Sequence, residues 1–470
     1  MNDTLFIRYI TIINNKTVVF YFVLFFIIAL FFIEQIGFAI INLPGSDHTI
    51  KKTDFVYFTS QKKNHKQKVS KGDDSSTEIW SNAFNFQKSW GTTVDPRTGT
   101  LIVHFKVGSL LSNIGHGPDI NLQINYNSNA FADPDKVGRG WSWNLTHFDL
   151  ITNQLTTANG QIFWLHQTVK GHWNPLYHKL HDIKIDGDKN RYFTITYANG
   201  LREILSHDGY ETRLEQQNGW GVNFIYHRGT HLLQSVVDDE GNRITINRHQ
   251  GYLDIISHKS DGQPAIIRIE NHNSKPDKMT FLLASESVSP SIHLNYKGPL
   301  LTRVIYPTGL EKTFVFNCDD AMKFPSLLLS RFHSLCVVVA EETIPGAGQP
   351  AMKTHYLYSG ANINGHNYLG FNSGLTTTTG NIKDTLFDAP VDYSYRTIKD
   401  NGLFKEIQTY NKYHLLIDTK LVSDHTGKTL SETENFFCNT EISDGCSQTS
   451  FTNLPITYSL PLKTINRIWG

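Results

Sequence analysis

Apolar and polar residues alternate along most of this 470-residue chain, and the period of the alternation is that of β-strands. The run Ile120-Asn121-Leu122-Gln123-Ile124-Asn125-Tyr126 is strict, apolar at 120, 122, 124 and 126 and polar between. Successive side chains of a strand point to opposite faces, so this run predicts a strand with one face buried and the other wet. Thr100–Val107, Arg191–Tyr197 and Val222–Tyr226 read the same way. From Ile79 onward no stretch shows the 3.6-residue period of an amphipathic helix. The strand-like runs are punctuated by Asp208-Gly209, Glu240-Gly241, Asp261-Gly262 and Thr308-Gly309. Each predicts a tight hairpin turn in which glycine supplies a positive φ. These glycines lie 32, 21 and 47 residues apart, loose multiples of a unit somewhat over 20, which predicts a degenerate hairpin repeat.

The N-terminal end breaks the pattern. Val18 to Ile33 is an unbroken run of 16 apolar residues, and after Glu34 and Gln35 apolar character resumes to Ile41. A helix over the whole span, Val18–Ile41, would be about 36 Å long, enough to cross a bilayer core of about 30 Å. The same span suits a cleavable signal peptide, with Arg8 and Lys16 as its basic head and Gly37 and Ala39 near the cleavage point. Both readings stay open, and so does the orientation. Lys51, Lys52, Lys62, Lys63, Lys66, Lys68 and Lys71 follow the span and favour retention on the cytoplasmic side, whereas a large domain behind an N-terminal apolar segment favours export. Residues 42–77, polar and Lys-rich, read as a tether.

Composition narrows the function classes. Lys plus Arg equals Asp plus Glu at 43 each, so there is no basic surplus to neutralise phosphates, and a nucleic-acid partner is not expected. Charged residues are 18%, below the roughly 25% of an average globular chain, and aromatic residues are 12%, which suits short strands better than solvated helices. Four cysteines are too few for a disulfide scaffold. Cys438 and Cys446 are close enough in sequence to bridge, Cys318 and Cys336 could do so, and neither pair has metal-ligand spacing.

The clearest repeat copy is Leu232-Leu233-Gln234-Ser235-Val236-Val237-Asp238-Asp239-Glu240-Gly241-Asn242-Arg243-Ile244-Thr245-Ile246, followed later by Val304-Ile305-Tyr306-Pro307-Thr308-Gly309-Leu310-Glu311-Lys312-Thr313. These resemble the tyrosine–aspartate (YD) repeats of the rearrangement-hotspot (RHS) proteins. Val94-Asp95-Pro96-Arg97-Thr98-Gly99, Gly138-Arg139-Gly140-Trp141-Ser142-Trp143-Asn144-Leu145 and His366-Asn367-Tyr368-Leu369-Gly370-Phe371 are similar to the N-terminal part of large bacterial RHS chains. The resemblance covers roughly residues 80–400. It implies a β-strip spiralling into a shell around a toxic cargo. Family members run far longer and end their core in an Asp-Pro-x-Gly-type self-cleavage segment, which nothing after Cys446 matches. The resemblance therefore implies a front portion, with an open strand edge.

Candidate chemistry is sparse. Asp95-Pro96-Arg97-Thr98-Gly99 has the residues of a turn, with Pro fixing φ and Gly taking the left-handed position, and could also be a binding loop. Trp141 and Trp143, with Trp90 and Trp164, could form an aromatic carbohydrate platform or a buried seam. His172, His178, His181 and Asp182 are metal-capable but fit neither a helix face nor a strand face, and His227 and His231 flank a glycine turn. Asp133, Asp135 and Gly138 resemble part of a calcium loop that Pro134 interrupts and no Glu closes. Hydrolase-elbow, phosphate-loop and dinucleotide patterns are absent, and a glycosidase carboxylate pair has no positive feature pointing to it.

The sequence thus predicts a mostly β protein, a repetitive hairpin strip curling toward an RHS/YD-repeat shell behind one transmembrane or signal helix. The expected divisions are 1–17, 18–41, 42–77, a β region at 78–190, repeats at 191–400 and a C-terminal β region at 401–470. The expected role is a non-enzymatic shell or scaffold segment of a toxin or toxin-delivery protein, membrane-bound through Val18–Ile41 or secreted, with other shell or toxin-complex segments as partners. No catalytic, metal or cofactor residue is assigned. The rival readings are a surface carbohydrate-binding module and a remnant of a longer frame.

Overall fold

The computed structural model describes residues 91–469, except 112–116, 131, 170, 259–263, 283–287, 319–334, 361–386, 388–392 and 447–448. The apolar span Val18–Ile41, the turn at Asp261-Gly262 and the motif His366–Phe371 lie outside these residues. Among the described residues no helix is long and apolar enough to cross a membrane. The described residues are nearly all β, in two sheets.

The first sheet has four antiparallel strands in chain order: β1 (Thr92–Val94), β2 (Leu101–Leu110), β3 (Ile120–Asn127) and β4 (Trp141–Trp143). The strict alternation at 120–126 is β3, and its four apolar residues are all buried. Its polar face is not uniformly wet. Gln123 is buried as well, and its backbone N–H donates to Asn144 Oδ1 at 2.6 Å.

The second sheet is one continuous ribbon in which each strand pairs antiparallel with its neighbours in sequence. It opens with β5 (His147–Asp149), β6 (Gln154–Thr156), β7 (Ile162–Val169), β8 (His172–Pro175), β9 (Ile183–Gly187), β10 (Tyr192–Tyr197), β11 (Arg202–Ser206) and β12 (Glu211–Glu215). This stretch rolls onto itself. His147 bridges Tyr210, Phe148 N donates to Gly209 O at 2.9 Å, and Thr146 N donates to the buried Glu211 carboxylate at 2.8 Å. Inside the roll Phe148, Trp173 and Phe193 meet edge to face, with centroids 5.0 to 6.2 Å apart.

The middle of the ribbon comprises β13 (Gly221–Tyr226), β14 (Leu233–Asp238), β15 (Arg243–His249), β16 (Tyr252–His258), β17 (Ala265–His272), β18 (Lys275–Leu282), β19 (Ser291–Lys297), β20 (Leu300–Ile305), β21 (Glu311–Asn317), β22 (Val337–Ile344) and β23 (Met352–Gly360). Alternate residues fall into apolar rows across the strands, such as Leu253, Ile269, Met279 and Ile292. A row of this kind must be covered, and the four-stranded sheet covers it. Val103, Phe105, Val107, Ile124, Tyr126 and Trp141 share one core with the inward residues of β13 to β23. Each such side chain is worth about 1.5–3 kcal/mol when fully buried. The approach is close: a Cβ on Gly108 would lie 2.9 Å from Ile244 Cδ1.

The ribbon ends with β24 (Ser394–Asp400), β25 (Phe404–Asn411), β26 (Leu416–Ser423), β27 (Thr429–Phe436) and β28 (Lys463–Ile468). Loops from this end form a third core of Phe387, Tyr413, Phe437, Leu454 and Tyr458. They also reach back to the β8–β9 loop, where Tyr458 donates to Tyr177 O at 2.7 Å and Lys179 donates to Leu454 O at 2.6 Å. The ribbon is nonetheless not closed end to end. Among the described ladders β28 pairs only with β27.

Both cysteine pairs are bonded, Cys318–Cys336 and Cys438–Cys446. The first joins the residues just outside the terminal pair of the β21–β22 ladder, Asn317 and Val337.

Three of the four acidic- or Thr-Gly turns lie in the described chain, and Gly209, Gly241 and Gly309 have φ of 91°, 92° and 81°. Their surroundings differ. A Cβ on Gly241 would meet nothing within 4 Å, whereas one on Gly209 would lie 1.9 Å from Phe148 O, at the contact that closes the roll. Gly241→Val is therefore expected to cost about 1–3 kcal/mol from backbone strain alone. Gly209→Val is expected to lower the denaturation midpoint further, because it also pushes β5 off Gly209. Equal shifts in urea unfolding would contradict the closure at Phe148.

Candidate functional site

The surface where the four-stranded sheet meets the ribbon holds the Asp95–Gly99 turn and the Trp141–Trp143 pair singled out in the sequence. Its apolar middle is tied down by aromatic hydroxyls and an indole. Leu301 N donates to Tyr126 Oη at 2.9 Å, Trp141 Nε1 donates to Tyr296 Oη at 3.0 Å, and the hydroxyls of Thr92 and Tyr306 are 3.0 Å apart. Burial raises the Tyr126 phenol to about 12, and it also pushes Tyr296 upward, so both stay neutral donors and acceptors.

Trp141 and Trp143 are 1% and 5% exposed. They form part of this seam and cannot present a carbohydrate platform at the surface. Trp164 is half-buried on β7, in the rolled part of the ribbon, and Trp90 lies outside the described residues. The bulk of an indole dominates its placement, and the flanking residues alone do not say which apolar face will receive it.

Asp95–Gly99 is the turn between β1 and β2, and it is also the latch of the sheet. Asp95 Oδ1 accepts from Arg97 N at 2.7 Å and Thr98 N at 3.2 Å, and Gly99 N donates back to Asp95 O at 2.8 Å. Outward from the turn, Val338 N donates to Gly99 O at 2.8 Å, and the Thr397 hydroxyl donates to Pro96 O. Arg97 is held 3.1 Å from Asp95 Oδ2. Burial opposes its charge, but Asp95 and the nearby Tyr395 and Tyr410 raise its pKa above the ordinary value, so the guanidinium stays charged inside the contact.

Beside this latch the ribbon's inward face changes character. The cross-strand row Tyr358, Thr397, Gln408, Thr419, Thr433 and Asn466 is mostly polar, unlike the rows of β15 to β20. A cavity of about 350 Å³ opens here between β1 and the ribbon. On its wall Glu341 accepts from Tyr356 at 3.1 Å and lies 3.3 Å from Lys312 Nζ, while Glu406 accepts from Gln408 at 2.9 Å. Sequence reasoning missed Glu341 and Glu406. Only the strand register brings residues 65 positions apart to one wall. The arrangement can hold hydrogen-bonding polar groups between two carboxylates and the cations Lys312 and Lys399.

The remaining candidates are dispersed. His172 pairs with Asp186 at 2.5 Å, His178 with Asp182 at 2.6 Å, and His181 is exposed. Among the described residues no group of three metal-capable side chains converges. His231 stacks on Tyr210 at 4.5 Å and lies 3.3 Å from Asp208, bordering the roll closure, and His227 is exposed in the same turn. In the Asp133–Gly138 segment both carboxylates accept from the backbone. Gly138 N donates to Asp133 Oδ1 and Trp143 N to Asp135 Oδ2, each at 2.9 Å, so the carboxylates brace the loop that delivers β4.

No family model and no curated protein matches this chain. Among solved structures, TcdB2-TccC3 without its hypervariable C-terminal region aligns at 8% identity and a TM-score of 0.30, over 72% of this chain and 20% of that one. TcdB2-TccC3-TEV aligns at 9% identity and a TM-score of 0.14, over 70% and 22%. The chain thus spans about a fifth of the length of the structures it matches. Overlays this loose do not define a shared architecture.

Burial raises Asp135 to about 6, against the partial offsets of Trp143 N and Arg248. A carboxyl whose folded pKa is raised favours folding below its unfolded value near 3.8, and that contribution is lost as pH climbs through 6. Asp135→Asn keeps an acceptor for Trp143 N and does not titrate. It is expected to stabilise the protein at pH 7.5 and to lose that advantage at pH 4.5, read as thermal midpoints of variant against wild type. A pH-independent difference would contradict the buried carboxyl.

Proposed function

We propose that the chain is a non-enzymatic wall segment of an RHS-type β-shell, part of a toxin or toxin-delivery protein. The observation that carries this reading is the ribbon itself: from β5 to β28 each strand pairs with the strands next to it in sequence, with no crossover. Such a ribbon can lengthen by one hairpin at a time and enclose volume by curling, which is what a wall requires. The repeat copies at 232–246 and 304–313 fall on its β14–β15 and β20–β21 hairpins, in agreement with the YD-repeat resemblance. The four-stranded sheet then acts as a filler that occupies the inward face of the ribbon's middle strands, β13 to β23.

The two disulfides support passage through an oxidising compartment, and hence export of the β part. On this reading Val18–Ile41 directs or anchors the chain at a membrane, and other shell segments are the partners.

A wall segment has an edge to which further strands add. The outer side of β28 carries Ile468 at 85% exposure beside the half-exposed Trp469, and unpaired backbone groups at such an edge recruit strands. Residues 79–470 are expected to associate as concentration rises while keeping strand-dominated circular dichroism. Replacing Thr464 and Ile468 with Lys should suppress the association. A concentration-independent monomer in light scattering would contradict the wall reading and favour a self-contained module.

A further inference from the structure

The cavity of about 350 Å³ between β1 and the ribbon is lined by two carboxylates, Glu341 and Glu406, and two ammonium groups, Lys312 and Lys399, so its lining has no net charge. One pair is already spent. Glu341 takes Lys312 Nζ on Oε1 at 3.3 Å and the Tyr356 hydroxyl on Oε2 at 3.1 Å. The second carboxylate is oriented but only half used. Tyr410 donates to Gln408 Oε1 at 2.7 Å, which fixes the amide so that Gln408 Nε2 donates to Glu406 Oε1 at 2.9 Å. Glu406 Oε2 keeps solvent access and takes no hydrogen bond among the described residues. Lys399 is exposed and is the direct cross-strand partner of both Glu406 and Tyr356, so it shares their face. An acceptor and a donor thus stand on adjacent strands over one opening. The other wall is β1, the edge strand of the filler sheet, and Val94 and Pro96 give the lining an apolar part.

We propose that this cavity binds a neutral saccharide unit through two hydroxyls on adjacent ring carbons. One hydroxyl donates to Glu406 Oε2 and its neighbour accepts from Lys399 Nζ, two charge-assisted hydrogen bonds that a vicinal diol makes together. The C–H face of the ring lies against Val94 and Pro96. A lining without net charge gives an ion no advantage over a neutral molecule, and the polar groups favour hydroxyls over an apolar ligand. The volume lies at the lower end for ligand pockets, which suits a single sugar ring. Trp141 and Trp143 are buried, whereas Lys399 and Glu406 reach solvent. The site needs the contact of β1 with the ribbon and does not depend on the wall role.

The test is saturation-transfer NMR on the full chain in a detergent without a sugar headgroup, with the methyl α-glycosides of glucose, mannose and galactose as probes. Glucuronate, glucosamine and triethylene glycol serve as the anionic control, the cationic control and the control without adjacent hydroxyls. The expected result is saturable transfer to at least one glycoside and none to triethylene glycol. Glucuronate and glucosamine should bind no more tightly than the neutral probes. Glu406→Ala and Lys399→Ala should each weaken binding about tenfold, with thermal midpoints near that of the wild type. Glu406→Gln, which keeps the shape and an acceptor but loses the charge, should fall between Glu406→Ala and the wild type. No transfer to any of the three glycosides, equal transfer to triethylene glycol, or tighter binding of glucuronate or glucosamine overturns the proposal. Binding unchanged in all three variants overturns it as well.

Discussion

A ribbon of sequential antiparallel hairpins makes one apolar face and has nothing of its own to lay against it. Everything else in this protein follows from that constraint. Where the ribbon is short it rolls, and β5 meets the β11–β12 turn around Phe148, Trp173 and Phe193. Where it is too long to roll tightly, from β13 to β23, a separate four-stranded sheet fills the concavity. Where neither cover reaches, the inward rows turn polar, with Thr397, Gln408, Thr419 and Thr433 in register, and a cavity of about 350 Å³ replaces the core. The composition of each row therefore tracks what lies opposite it.

The filler sheet is held by more than apolar contact. Tyr126, Trp141 and Thr92 join the ribbon through hydrogen bonds that span 155 to 214 positions in sequence, and each is specific in direction where hydrophobic burial is not. The Asp95–Gly99 turn adds a buried ion pair and two backbone contacts at the edge of the apolar zone. Apolar burial supplies the adhesion, and these polar ties set the register of one sheet on the other.

Much of the local structure was legible in the sequence. The alternation at 120–126 is β3, the runs at 191–197 and 222–226 are β10 and β13, and Gly209, Gly241 and Gly309 sit at positive φ where the turns were expected. Period-2 patterning works because it states which residues share a face. It does not state what will cover that face, so the seating of Trp141 and Trp143 in the seam and the shared wall of Glu341 and Glu406 had no local signal. The histidine and aspartate groupings had only closeness in sequence behind them. In the folded chain His172 and His178 each find a different carboxylate, and Asp133 and Asp135 spend theirs on backbone N–H groups.

The central claim is that the four-stranded sheet is the core of the ribbon's middle turns and not a separate appendage. Hydrogen exchange followed by mass spectrometry along a denaturant series tests it most directly, because amides in one cooperative unit open together. Peptides covering β2 and β3 should lose protection at the same denaturant concentration as those covering β15 to β20. Peptides covering β26 to β28, which lack the filler sheet, should open earlier. Loss of protection in β2 and β3 while β15 to β20 remain closed would contradict the account.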